Sequence, residues 1–158
     1  MAMDDASAWA FISSCTKMIV TFVMPDGYPH ATPVWFVLLN GKIYFRSQKN
    51  KRKTTLARSA KVCCVFEEGE KYTEQRGCVL WGACKVLAQE QFVEEIEKRL
   101  AEKYGHLRWK PGEVSSRWVE DRAKDRKVYF AVDPIKISSW DNRKIAVRQM
   151  GSYENESA

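Results

Sequence analysis

Two dipeptides constrain this chain more than any total does: Asp26-Gly27 and Asn40-Gly41. Each tolerates the positive φ that a tight hairpin turn requires. Each also lies between β-branched and aromatic runs, at 18–24, 29–39 and 42–47. The first third therefore reads as an antiparallel meander of three strands. Three more runs follow the same logic: "KVCCVFEE" (61–68), "CVLWGACKVL" (78–87) and "KVYFAVDPIKISSW" (127–140), the last bent or bulged near Pro134. Helices are few. Residues 4–15 place Ala8, Phe11, Ile12 and Cys15 at helical spacing behind a capping Asp4 or Asp5. In "QEQFVEEIEKRLAEKYG" (89–105), Phe92, Ile96 and Leu100 repeat every four residues and Gly105 ends the run. The segment 106–126 reads as irregular and charged, and the tail from Arg143 as polar. Six antiparallel strands with peripheral helices make a mainly β chain, a small barrel spanning 1–158 as one domain.

Charge narrows the ligand. The net charge is +6 and the pI about 9.1, which favours an anionic partner. Four cations, Lys49, Lys51, Arg52 and Lys53, crowd ahead of a short helix-like stretch at 54–58. Positive charge is unwelcome at a helix N-terminus, which already carries about half a positive charge. By itself the run reads either as a solvated basic loop or as an anion site, where free N–H groups and cations together would hold one phosphate. The run lacks interleaved aromatics and any recognition-helix or RNA-binding motif, so no nucleic-acid partner is expected.

Other classes fall away. No apolar run reaches the roughly 18 residues of a membrane span, and "MAMDDASAWAF" has no basic residue and no targeting character. A cytoplasmic location is expected, with no membrane partner. Cys15, Cys63, Cys64, Cys78 and Cys84 form no CxxC and read as reduced packing residues. His30 and His106 are too scattered for a metal cluster, so no metal site is assigned. No Ser-His-Asp pattern, apolar carboxylate pair or dinucleotide fingerprint is visible, and no catalytic residue is named.

The order of "DGYPHATPVWFVLLNGKIYFRS", "NKRKTTLARSAKVCCVF", "RGCVLWGACKVL", a helix and "VYFAVDPIKISSWD" resembles the pyridoxamine 5′-phosphate oxidase-like family over roughly residues 8–141. The resemblance implies a six-stranded split β-barrel of the FMN-binding type and a homodimer with two cofactor sites between subunits. It implies ring-side positions at Pro33, Val34, Trp35 and Phe36, with Arg46 and Ser47 along the ring edge or ribityl chain. Lys51, Arg52 and Lys53 match the phosphate-binding run, although the family often has Ser or Thr where Lys51 stands. Trp140, with Asp141, ends the last strand as family members often do, and is a candidate for contact with the partner's cofactor.

Trp81, beside Gly82 in the fifth strand, is another candidate contact, because glycine permits close approach of a backbone or ligand. Trp109 and Trp118 read either as pocket lining or as pins for their loop. The function expected is an FMN-dependent oxidoreductase acting on a small, planar redox substrate. One alternative is a reductase using the deazaflavin coenzyme F-420, whose longer anionic tail needs more cationic surface. Another is a flavin- or haem-binding protein without turnover, although neither histidine is well placed as a haem ligand. Oxidation of pyridoxamine phosphate itself fits less well, since only Arg143 and Arg148 could serve a substrate phosphate near the C-terminus.

Overall fold

The computed structural model describes residues 1–48, 60–87, 90–124 and 126–145. Seven strands form one antiparallel sheet: β1 (Met18–Val23), β2 (Pro29–Val34), β3 (Phe36–Leu39), β4 (Lys42–Gln48), β5 (Ala60–Glu68), β6 (Arg76–Val86) and β7 (Lys127–Asp141). Their spatial order is β2-β1-β5-β6-β7-β4-β3. Both expected hairpins are present. Asn40 and Gly41 have φ of 51° and 72°, and Gly27 has φ of 87°, the left-handed values such turns demand.

One expectation needs correction. The run 29–39 is not one strand; it breaks at Trp35, giving seven strands instead of six. β2 pairs with β1 at one edge of the sheet, and β3 pairs with β4 at the other. A single residue therefore joins the two edges, and the chain closes the barrel by crossing from one to the other. Pro33, with no N–H to donate, stands two residues before the break, where the ladder can spare a donor. At the break the Tyr104 hydroxyl replaces a ladder partner. It accepts from Phe36 N–H (3.0 Å) and donates to Phe36 C=O (2.8 Å).

Two apolar clusters hold the fold. The inner one joins inward-facing strand residues, including Val20, Phe36, Phe45, Phe66, Leu80 and Phe130. Helix α1 (Asp5–Ser14) adds Ala8, Phe11 and Ile12 to it, with Asp4 as the N-cap accepting from Ser7 N–H. The second cluster lies outside the barrel, where α2 (Glu90–Tyr104) sets Ile96, Leu100 and Tyr104 on Val37, Tyr44 and Ala131. Phe92, expected in the same stripe, stays 39% exposed. The bend near Pro134 is a bulge: Trp81 pairs with Lys136 and Gly82 with Pro134, leaving Ile135 unpaired. The segment after α2 is more ordered than its charge suggests. It forms a 3-10 turn (Gly105–Leu107) and α3 (Ser116–Lys124). Ser115 starts α3, its Oγ accepting from Trp118 N–H at 3.3 Å. No helix among the described residues is long and apolar enough to cross a membrane.

Candidate functional site

The strand break opens onto a groove of about 940 Å³. Its inner wall is Pro33, Val34 and Trp35 from the break, with Arg46, Ser47 and Gln48 from the end of β4. Its outer wall is Leu107 at the end of the 3-10 turn, Arg108 and Trp109 just after it, and Trp118 and Arg122 on α3. Lys127, at the start of β7, closes the floor. Four cations line the groove, and no Asp or Glu among the described residues does.

Five sequence-predicted positions, Pro33, Val34, Trp35, Arg46 and Ser47, thus converge on one groove. Trp35 is fixed there by stacking on Tyr104, with centroids 4.5 Å apart and planes 3° from parallel. Phe36 points the other way. Its ring lies in the barrel core and its N–H and C=O are both taken by Tyr104, so it lines no part of the groove. Trp81 and Trp140 lie on the outer sheet face, away from the groove's lining. Trp81 is 41% exposed, with the Lys136 ammonium 5.5 Å from its ring centroid. The Trp140 ring covers Gly77, where any Cβ would overlap it. The close approach that Gly82 permits is to Asp133 and Val132 of the neighbouring strand β7, since an added Cβ would lie 2.6 Å from each. Lys51, Arg52 and Lys53 lie outside the described residues.

Ser47 is the informative residue. It is 7% exposed, and its Oγ has no hydrogen-bond partner among the described residues. A buried hydroxyl left unpaired costs about 1–3 kcal/mol. Ser47 is among the residues that line the groove, and a polar ligand atom that reached this hydroxyl would remove that cost.

Arg46 is held from behind. Its guanidinium pairs with Glu97 of α2, and Glu97 Oε1 also accepts from the Tyr129 hydroxyl (2.6 Å) and lies 3.7 Å from Lys127 Nζ. Burial alone would raise the Glu97 carboxyl, but the hydrogen bonds from Tyr129 and Arg46 hold it below its ordinary value. Burial first, then the bond to Glu97, pushes the Tyr129 hydroxyl up to about 12. Glu97 therefore keeps its charge and orients two of the groove's cations. It is not a candidate from the sequence, nor are Arg108 and Arg122 of the outer wall. Glu97 sits in a helix dense with Glu and Lys, where nothing in the pattern singles it out. Trp109 and Trp118, which the sequence reads either as pocket lining or as pins for their loop, line the groove.

The remaining candidates are structural. Cys15, Cys64, Cys78 and Cys84 are buried, and Cys63 and Cys64 face opposite sides of β5. Burial raises the Cys84 thiol to about 12, which disfavours a reactive thiolate. No grouping suited to a metal ion occurs among the described residues.

Comparison with known proteins agrees with this architecture. No curated protein matches the chain. Solved structures do, at the level of fold. A conserved hypothetical protein from Mycobacterium tuberculosis superposes with a TM-score of 0.74 at 22% identity, over 91% of this chain and 88% of its own. The FAD binding protein from Mycobacterium smegmatis gives 0.64 at 14% identity, over 89% and 96%. A flavocytochrome from Azotobacter vinelandii gives 0.63 at 15% identity, over 86% and 66%. The family pattern described as pyridoxamine 5′-phosphate oxidase runs through residues 5–141, from the start of α1 to the last residue of β7, and to that family this chain belongs.

Proposed function

We propose that the groove binds a phosphorylated flavin and that the protein is an oxidoreductase, with FMN as the cofactor and a small, planar molecule as substrate. The observation that carries this is the orphaned Ser47 hydroxyl, next to Arg46 in sequence, in a cationic groove walled on its inner side by the strand break. A flavin supplies hydride chemistry when bound. The residues described here bind and orient it. Pro33 to Trp35 offer a flat, apolar backbone surface against which a ring can lie. Ser47 offers an O–H and a lone pair. Arg46, aimed by Glu97, sets positive charge at the polar edge. Lys51, Arg52 and Lys53 follow β4 in sequence by a few residues and are the proposed phosphate ligands. The deazaflavin coenzyme F-420 is the alternative, and its longer anionic tail would call on the outer-wall cations.

Two alternatives lose ground. Arg143, a candidate for the phosphate of pyridoxamine phosphate, is already committed to Asp141 through bonds of 2.9 and 2.7 Å. Neither His30 nor His106 lines the groove, so neither is placed to serve as an axial haem ligand there.

The site is proposed to be completed by a second copy of the chain. The outer face of the sheet carries two apolar rows. Ladder pairing sets Pro33, Ile19, Val65 and Val79 side by side across four strands, and Thr21, Cys63 and Trp81 in the next row. Ile19 is 39% and Trp81 41% exposed. Pro33 belongs both to this face and to the groove, so a copy seated here would reach the cofactor. A stable interface buries at least about 1,200 Å². Trp81→Glu is expected to turn a dimer into an 18.3 kDa monomer in light scattering, and a wild type that is monomeric at micromolar concentration would overturn this reading.

The function is tested by mass spectrometry and absorbance of the copurifying small molecule, followed by titration of apo-protein with FMN and with F-420. A bound flavin or deazaflavin whose affinity falls in Ser47→Ala is the expected result. Binding of neither cofactor would sink the proposal.

A further inference from the structure

We propose that the outer wall of the groove is a separate compartment for the substrate, built to take a flat conjugated molecule that carries a carboxylate or similar anionic group. This deepens the reading above and rests on it for the role of the inner wall.

Helix α3 is the starting point. It is nine residues long and buries none of them. A helix so short is marginal alone and usually depends on packing an apolar face. Its residues are nevertheless sorted. Trp118, Val119, Arg122 and Ala123 turn to the groove, while Glu120 and Asp121 do not line it. A face with an indole, two small apolar groups and a guanidinium, kept clear of the helix's own carboxylates, is complementary to an apolar anion.

The neighbouring loop completes the shape. Trp109 meets Trp118 edge to face, with centroids 6.0 Å apart and planes 88° from parallel. The two rings make a right-angled corner and remain 43% and 40% exposed. Exposed indoles in a groove are poorly solvated and suited to stacking a flat ring. The Arg122 guanidinium lies 4.9 Å from the Trp118 ring centroid, which places a charge at the rim of that corner. Arg108 stands beside Trp109 in the sequence and also lines the groove. Neither Arg108 nor Arg122 forms a salt bridge among the described residues, in contrast to Arg46, which Glu97 occupies. The groove's volume is near the top of the roughly 300–1,000 Å³ typical of small-molecule sites, which leaves room for two bodies, one on each wall.

The test uses the full-length protein and two fluorescent probes, anthracene-9-carboxylate and the uncharged 9-anthracenemethanol, alongside FMN. Wild type is expected to bind the carboxylate at least tenfold more tightly than the alcohol. Arg108→Gln with Arg122→Gln should lower carboxylate affinity about ten- to a hundredfold, the scale for losing charge-assisted hydrogen bonds, and lower FMN affinity far less, through the groove's summed charge alone. Trp118→Leu should weaken both probes and spare FMN. Thermal melts check the barrel, which neither variant touches, because Arg108 is exposed and α3 buries no residue. Equal binding of the two probes, or no binding of either, overturns the proposal. So does a parallel loss of FMN affinity in the arginine variant, which would assign the wall to the cofactor's tail, or a loss of dimer in light scattering, which would assign it to the second copy. Failure of FMN to bind wild type would overturn the cofactor reading instead, and the probe measurements would still report on this wall.

Discussion

Tyr104→Phe removes one oxygen atom and should destabilise the protein far more than that suggests. The hydroxyl is the partner of both backbone polar groups of Phe36, at 3.0 and 2.8 Å. Phe36 is fully buried, and so is Tyr104. A phenylalanine keeps the stack on Trp35 and the packing against Ile96 and Leu100, so the apolar terms stay nearly constant. What changes is that an N–H and a C=O are left unpaired away from water. Each unsatisfied group costs about 1–3 kcal/mol, so the pair costs about 2–6 kcal/mol, a large share of the roughly 5–15 kcal/mol that holds a domain together. Urea unfolding measures it, as a fall in midpoint with an unchanged slope. Tyr129→Phe is the control, because that hydroxyl is half-buried and its acceptor Glu97 retains Arg46 and Lys127; it should cost under about 1 kcal/mol. Because the break also presents Pro33 to Trp35 to the groove, ligand affinity should fall with stability. A Tyr104→Phe protein within about 0.5 kcal/mol of wild type would refute the argument, since it would mean that the break is held by something other than this hydroxyl.

Lys103 offers a pH test. Its ammonium lies 3.8 Å from the Phe36 ring centroid, and burial lowers its pKa to about 8. The unfolded chain therefore holds more protons between about pH 8 and 10.5, and this residue makes stability rise with pH across that window. Buried thiols such as Cys15, raised to about 11, act in the opposite direction above about pH 9. The comparison is thus wild type minus Lys103→Met in urea melts from pH 7 to 10. The variant should be more stable at pH 7 by on the order of 1–2 kcal/mol after allowance for solvent screening, with the difference shrinking as pH rises; a pH-independent difference counts against it. Glu97→Gln should leave Arg46 and Lys127 without the carboxylate that orients them. It should weaken FMN binding several-fold, and an unchanged or tighter titration curve would show that Arg46 needs no aiming by Glu97.

The sequence carried the barrel because its signals are local. The turns at Gly27 and Asn40-Gly41, the period-two runs and the α2 stripe each fix a conformation without reference to distant residues. Trp35 shows where locality ends. Residues 29–39 are uniformly strand-like, and nothing in them tells that the two halves belong to opposite edges; that is decided by Tyr104, 68 residues from Phe36. The site divided along the same line. Pro33 to Trp35 and Arg46 to Ser47 were legible because they flank turns in a recognisable order. Of the outer wall only Trp109 and Trp118 were candidates, with pocket lining and loop pinning left open, since they and Arg122 come from a charged segment whose helix buries nothing. A helix without a buried face gives no hydrophobic period to read.

Helix α2 connects these observations. Through Tyr104 it holds the strand break, and through Glu97 it holds Arg46, so one rigid element positions both parts of the inner wall. Tyr104 and Glu97 are seven residues apart, two helical turns, and so face the same side. Ile96 and Leu100 between them anchor that side to β3, β4 and β7. The arrangement separates stability from recognition. The apolar anchors fix where α2 lies, and its two polar contacts then aim groups at the groove from outside it. The outer wall has no such anchoring, because α3 rests on no core. The inner wall should therefore keep its shape whatever ligand is present, while the outer wall should tighten on one. Hydrogen exchange would show this as ligand-independent protection at β4 and the end of α2, and protection at 116–124 that rises only when the groove is filled.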